Sequence, residues 1–446
     1  MSFRFASLAL TGAIAVAACA ENAPTTPSAA VINVPTAAAL AIDPAAACNG
    51  VTMPVGDCQV LVTLFNTTNG PAWTNKTGWG VSPNPCSWFG VVCTDFDHGP
   101  VLRVLLGDNG LAGPIPAALG NLASVENISI GFNALTGTVP ATLANLPNLE
   151  ILQVSNSQLS GAIPAALGNA PSLRILRLSK NALSGAIPAA LGNATTLEVI
   201  DVQENALSGS IPAALGNLTE MLHLNLSSNN LTGTIPAALG NLTKLDVFAI
   251  QDNQITGEMP AALGAMSDLR VLYIHDNAMT GPVPNLTQWP KLDRTGLHGN
   301  QFTGQVPLAI ASFGEQIEFG CTMVPGNAGL YVPDLPTYRA ADLDGDGTIC
   351  GLAFASAEDI GEDAVDDIDD LVPATLNGGQ ANALKTKIEN AMAKADKGQF
   401  TAAINQMQSF LTQLSDMVSS GTLTPAQAAP FVAQANALIA IWTAQL

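Results

Sequence analysis

The chain has 446 residues, with 15 basic against 35 acidic side chains and a formal net charge of -20 at pH 7. That length exceeds what one compact core holds and suits an array with flanking modules. An acidic balance without clustered Lys and Arg excludes electrostatic capture of nucleic acid or of an anionic membrane.

Residues 1–18 read as an export signal, because Arg4 precedes an apolar run from Phe5 to Ala18 that is too short to span a bilayer. The junction Val16-Ala17-Ala18-Cys19 resembles the bacterial lipobox, which implies that Cys19 becomes the acylated first residue; cleavage of an ordinary signal peptide after Ala18 or Ala20 is the alternative. Residues 19–46, rich in Ala, Pro and Thr, then form a flexible tether. With Cys19 set aside, Cys48, Cys58, Cys86, Cys93, Cys321 and Cys350 make an even set, which in an exported chain predicts three disulfides. No second apolar stretch is long enough for a transmembrane helix, so the expected place is the cell surface or outer membrane as a lipoprotein, otherwise the medium.

Residues 47–100 form a distinct N-terminal module. From Asp57, taken as a helix N-cap, Val60, Leu61, Leu64 and Phe65 fall on one helical face. The following Cys86, Trp88, Gly90, Val91 and Cys93 resemble the N-terminal cap of plant-type leucine-rich repeat proteins. Proximity and that resemblance favour the pairs Cys48 with Cys58 and Cys86 with Cys93. Trp73, Trp79 and Trp88 are then structural plugs that close the exposed end of a stacked core.

Between residues 101 and 314 a 24-residue unit recurs nine times, beginning at Val101, Val125, Leu149, Leu173, Leu197, Met221, Leu245, Leu269 and Leu292. The frame L-x-x-L-x-L-x-x-N-x-L-x-G-x-I-P-x-x-L-G-x-L resembles the plant-type leucine-rich repeat and implies an α/β repeat solenoid: a right-handed superhelix with a parallel concave sheet. Positions 1, 4 and 6 point inward, and nine strands at about 4.8 Å spacing give a sheet roughly 40 Å long. The Asn at position 9 turns the chain and satisfies backbone groups of neighbouring coils; the third copy carries Ser157 there. Position 12 is a row of hydroxyls from Thr136 to Thr303, ordinary for the family, with contact to a glycan or ice as the minor reading.

Residues 321–353 lack helical or strand period and read as a loop-rich unit stapled by Cys321 and Cys350. Inside it, Asp342, Asp344 and Asp346 alternate, Gly347 allows a tight turn, and the Thr348 carbonyl sits at position 7, a pattern that calcium loops use. The segment resembles the excalibur domain, an extracellular calcium-binding unit, although Gly351 replaces its final Glu, so calcium is the cofactor expected here. Residues 354–375 read as an acidic, solvated linker. Residues 376–446 carry three amphipathic helices and resemble the FIMAH module of secreted bacterial proteins. Thr424 and Gln427 make a capping box, with Pro430 expected to kink the third helix or delay its start.

No metalloprotease, redox or phosphate-loop motif is present, and with four histidines the chain is read as not an enzyme. On the concave face, Arg174, Arg177 and Lys180 stand beside Glu198, Asp201 and Glu204 in the next coil, and Arg270 lies between Asp246 and Asp293, so lateral ion pairing accounts for them. Asp252, Tyr273, His275, Asp276, Arg294 and His298 remain as the candidate ligand-binding set, with His275 and His298 adjacent enough to take a metal. Exposed polar decoration is the bland account of them. The function expected is a non-catalytic, monomeric binding or adhesion protein that engages a protein or glycan on this face. Alternatives are an inhibitor of an extracellular enzyme, like the polygalacturonase inhibitors that share these repeats, or an accessory part of a secreted hydrolase.

Overall fold

The computed structural model describes residues 41–51, 53–95, 98–305, 375–443 and 445–446, the backbone of Gly329–Pro333, Thr348–Ile349 and Leu352–Ala355, and single positions between 360 and 368. Cys19, the pair Cys321 and Cys350, and the calcium carboxylates Asp342, Asp344 and Asp346 lie outside the described residues, and Thr348 enters only as strand backbone.

Two helices open the described chain, α1 (Pro44–Ala47) and α2 (Val55–Thr67), tied by the disulfide Cys48–Cys58, while Cys86–Cys93 clips the segment that follows. Phe65, Trp73, Trp79 and Trp88 pack edge-on or tilted in sequence, with neighbouring centroids 4.8–5.0 Å apart, and the three tryptophans are almost wholly buried. Each indole N–H donates to a main-chain carbonyl (Thr68, Phe89 and Ser82), so the plug carries no orphaned donor. Asp57 departs from the sequence reading. Pro54 holds the N-cap position, and Asp57 turns inside the first turn to accept the N–H of Val101, the first residue of the first coil, at 2.9 Å. Burial raises its pKa, partly offset by that bond.

Each coil has three sides. The concave side is a ten-stranded sheet, in which the cap strand Val91–Cys93 pairs antiparallel with Val101–Leu105 and every later neighbour is parallel. Residues at positions 1, 4 and 6, such as Leu197, Ile200 and Val202, are fully buried, as the frame predicts. The sequence reading missed a second parallel sheet, built at positions 10 to 13 from strands such as Ala206–Ser210 and Asn230–Gly233. The hydroxyl row lies on this sheet: Ser160 and Thr256 donate to Gly137 and Gly233 of the preceding coil. The third side is a run of short 3-10 turns after Pro at position 16, exemplified by Ala165–Asn169 and Ala189–Asn193. They stack so closely that a Cβ on Gly168 would stand 1.9 Å from the Ala190 carbonyl oxygen.

The asparagine ladder forms as expected. Asn205 donates to the carbonyls of Val202, Gln203 and, one coil back, Leu178, and accepts from Leu183 N–H at 3.0 Å. Asn109 joins this ladder to the cap by bonding the Asn75 N–H and carbonyl. Position 8 has a demand the sequence did not disclose. Its backbone is left-handed in every coil, with φ of 51–56° from Asp108 to Asp276 and Gly299 at 61° in the ninth.

The segment after the repeats is less irregular than its composition suggested. Gly329–Pro333 extends the second sheet by pairing parallel with Gln301–Gln305, and Leu352–Ala355 extends it again, because the main chain continues the ladder that the last coil leaves open. The expected acidic linker is also corrected in part. Ile360, Ala364 and Ile368, four residues apart, are buried in the core of the C-terminal module, so apolar spacing overrides the acidic composition there.

That module comprises α3 (Gly378–Ala395), α4 (Phe400–Ser419) and α5 (Pro425–Thr443). α3 begins with a capping box between Asn377 and Gln380. α5 begins at Pro425 behind the expected Thr424–Gln427 bonds, so Pro430 does not delay its start. Leu384, Ile388, Met407, Phe410, Leu414, Phe431, Leu438 and Trp442 form its core, separate from that of the solenoid. Among the described residues no helix is long and apolar enough to cross a membrane.

Candidate functional site

Side chains of the concave sheet project at positions 3 and 5 and, beyond the strand, at 7 and 8. Parallel, in-register pairing sets like positions side by side: Asp201 opposite Arg177 and Asn225, and Tyr273 opposite Ala249 and Gly296. Rows of side chains therefore run across the coils.

Over the third to sixth coils these rows satisfy themselves. Arg174 lies 2.8 Å from Glu198 and 3.5 Å from Glu150, and its hydrogen bond with Glu198 is the first cause of a raised pKa. Lys180 meets Glu204 at 3.3 Å. Asp201 binds the Ser179 hydroxyl at 3.0 Å instead of forming a close pair with Arg177; burial raises its pKa and the Ser179 bond opposes that shift. Gln203, Asn225 and Ser227 continue the row through amide and hydroxyl bonds. Farther along, Arg270 reaches Asp293 at 2.6 Å and Asp246 at 4.0 Å.

Apart from these Arg270 pairs, coils seven to nine are less fully self-satisfied. The buried side-chain atoms Gln251 Oε1, Asp293 Oδ1, Thr295 Oγ1 and His298 Nδ1 have no hydrogen-bond partner. Buried polar atoms are ordinarily paired, so four such atoms in neighbouring coils set this stretch apart from the coils before it. Arg294, exposed on its strand, has no ion pair among the described residues.

Four of the six candidate residues gather here. His275 and His298, both at position 7, stack with centroids 4.3 Å apart and planes 12° from parallel, while Tyr273 meets His275 edge-on at 6.0 Å. Asp276 Oδ2 lies 2.8 Å from His275 Nδ1 and 3.5 Å from His298 Nε2. Arg294 sits one strand over from Val271, in the strand next to this cluster. Asp252 is turned away and accepts the Ser228 hydroxyl at 3.2 Å.

Two residues not singled out from the sequence shape the site. A Cβ on Gly296 would fall 2.6 Å from His275 Cδ2 and 3.4 Å from Tyr273 Cδ1, so glycine makes the room in which both rings lie. Thr295 stands at position 4, where each earlier coil has Val, Ile, Leu or Phe, and that polar break in an apolar column was the legible signal.

A family model described as a leucine-rich repeat region matches residues 138–283, and one described as the FIMAH domain matches residues 373–440. Similar solved structures include the plant peptide hormone receptor RGFR1 in complex with RGF2, at 32% identity over 47% of this chain and 38% of that one, with a TM-score of 0.42. The ectodomain of the Arabidopsis thaliana receptor kinase GASSHO1/SCHENGEN3, in complex with CASPARIAN STRIP INTEGRITY FACTOR 2, is 29% identical over 58% of this chain and 37% of that one, with a TM-score of 0.47. A plant ice-binding protein is 22% identical over 64% of this chain and 98% of that one, with a TM-score of 0.48. The chain thus spans less than half the length of the two receptors.

Proposed function

We propose that the chain is an exported, non-catalytic binding protein that engages a protein partner through the concave face of coils seven to nine. The observation that carries this reading is the change in side-chain economy along one sheet. Coils three to six pair their charges with each other, whereas coils seven to nine, apart from the Arg270 pairs with Asp246 and Asp293, present Tyr273, Arg294 and the histidine stack near buried polar atoms with no internal partner. Tyr and Arg supply large contact area and directional donors, and are enriched where interfaces concentrate their energy. Three coils at about 4.8 Å span roughly 14 Å, enough for some four residues of an extended segment at about 3.3 Å each. The Cys19 junction supports attachment to a membrane by a lipid, with residues 20–46 as the spacer.

Capture of surface proteins by the mature chain, followed by identification of the bound species, tests the reading. A Tyr273→Ala/Arg294→Ala double variant is expected to lose the captured protein, with a drop of about tenfold or more if these are anchor residues. Equal capture by both forms would contradict the assignment of this face, and capture of a glycan in place of a protein would redirect it.

A further inference from the structure

We propose that His275, Asp276 and His298 form a site for one divalent d-block metal ion of the zinc class. The three side chains offer two imidazoles and one carboxylate, and their ligand atoms lie within 4.8 Å of one another. In a tetrahedral shell with bonds of about 2.0–2.1 Å, donor atoms stand about 3.3 Å apart. The 2.8 and 3.5 Å separations from Asp276 Oδ2 to the two ring nitrogens bracket that value. Asp276 therefore already stands within reach of a cation that both rings could share.

The donor set decides the class of ion. Calcium and magnesium select shells of oxygen, whereas two neutral imidazoles with a carboxylate suit zinc, cobalt or nickel. Three protein ligands leave a fourth position open toward the concave face.

The backbone supports the arrangement from both sides. Asp276 sits at position 8, where the left-handed turn, with φ of 52°, aims its carboxylate back over position 7 of its own coil and the next. The hydrogen bonds of Asn277 to the Ile274 and His275 carbonyls, and of Asn300 to the Leu297 and His298 carbonyls, fix the two turns that carry the histidines. Nearly parallel rings share no point in both planes, so loading a metal turns one imidazole about its Cβ–Cγ bond and opens the stack. Gly296, with no Cβ against His275, leaves space for that motion. This site does not depend on the partner-binding reading, since a metal loads or fails to load in the isolated protein.

The mature full chain, stripped with a chelator and dialysed, is titrated with zinc by calorimetry and with cobalt by visible absorption. One equivalent is expected to bind with the d–d bands of a four- or five-coordinate cobalt ion. His298→Gln and Asp276→Asn are expected to weaken that equivalent about tenfold or more, the second without disturbing a backbone position that Asn tolerates. His223→Ala, which alters a histidine on the same face outside the cluster, is expected to leave it unchanged. Circular dichroism of each metal-free variant confirms that it is folded. Absence of a stoichiometric site in the folded wild type, or equal affinity in the His298→Gln and Asp276→Asn variants, would overturn the proposal.

Discussion

Asn181 and Ser157 hold the same position in successive coils, and only Asn181 completes the ladder there. Its Oδ1 accepts the Leu159 N–H at 3.0 Å and its Nδ2 donates to the Val154 carbonyl at 2.8 Å, whereas the buried Ser157 hydroxyl has no hydrogen-bond partner. Serine is too short to reach across the coil. Ser157→Asn is expected to restore the bonds between coils two and three and stabilise the chain by about 1–2 kcal/mol, at about 0.5–1.5 kcal/mol per added bond. Thermal and urea unfolding check this, and an unchanged or lower midpoint would show that the third coil has relaxed to do without the amide.

Phe132 illustrates a different local cost. It occupies the left-handed position 8 with φ of 56° and is 56% exposed, so little burial offsets the backbone strain. Asn and Gly adopt that conformation more readily. Phe132→Asn is expected to raise stability by about 1 kcal/mol, within the range of a relieved left-handed residue. A lower unfolding midpoint would assign the phenyl ring a packing role.

Asp57 gives a pH dependence of defined sign. Burial raises its folded pKa above the ordinary carboxylate value, so the folded chain binds a proton more readily than the unfolded one. By linkage its contribution is most favourable below the ordinary carboxylate range and is lost as pH rises through the raised folded value. Asp57→Asn keeps an acceptor for Val101 N–H without a buried charge. It is expected to be the more stable form at pH 7 and to converge with the wild type as pH falls below 4, in unfolding curves recorded across that range. An advantage that grows toward acid would reverse the assigned sign.

These cases divide what a linear sequence discloses from what it withholds. The apolar columns, the asparagine ladder and the cross-coil pairing of Arg174 and Arg270 follow from a strict period, since like positions must become neighbours, while both described disulfides match the pairs that proximity and the cap resemblance favoured. The left-handed turn at position 8 stayed hidden because Asp, Phe, Asn, Lys, Glu and Ser all occupy it, so no residue type announces it. Asp57 resembled an N-cap because a helix does start there, and only the packed first coil shows that its partner is Val101, 44 residues on. In the candidate site, the clustering of His275, Asp276 and His298 was legible from register. The turning of Asp252 toward Ser228 and the room left by Gly296 depend on side-chain geometry that spacing does not specify.

Tyr273 and Gln153 occupy the same outward position of the concave sheet, five coils apart, or about 24 Å at the strand spacing. A photoreactive amino acid placed at each position in turn, followed by irradiation with the captured partner, locates the contact on the sheet. Engagement of coils seven to nine gives a cross-link from position 273 and none from position 153. Equal cross-linking at both, or cross-linking at position 153 alone, would contradict it.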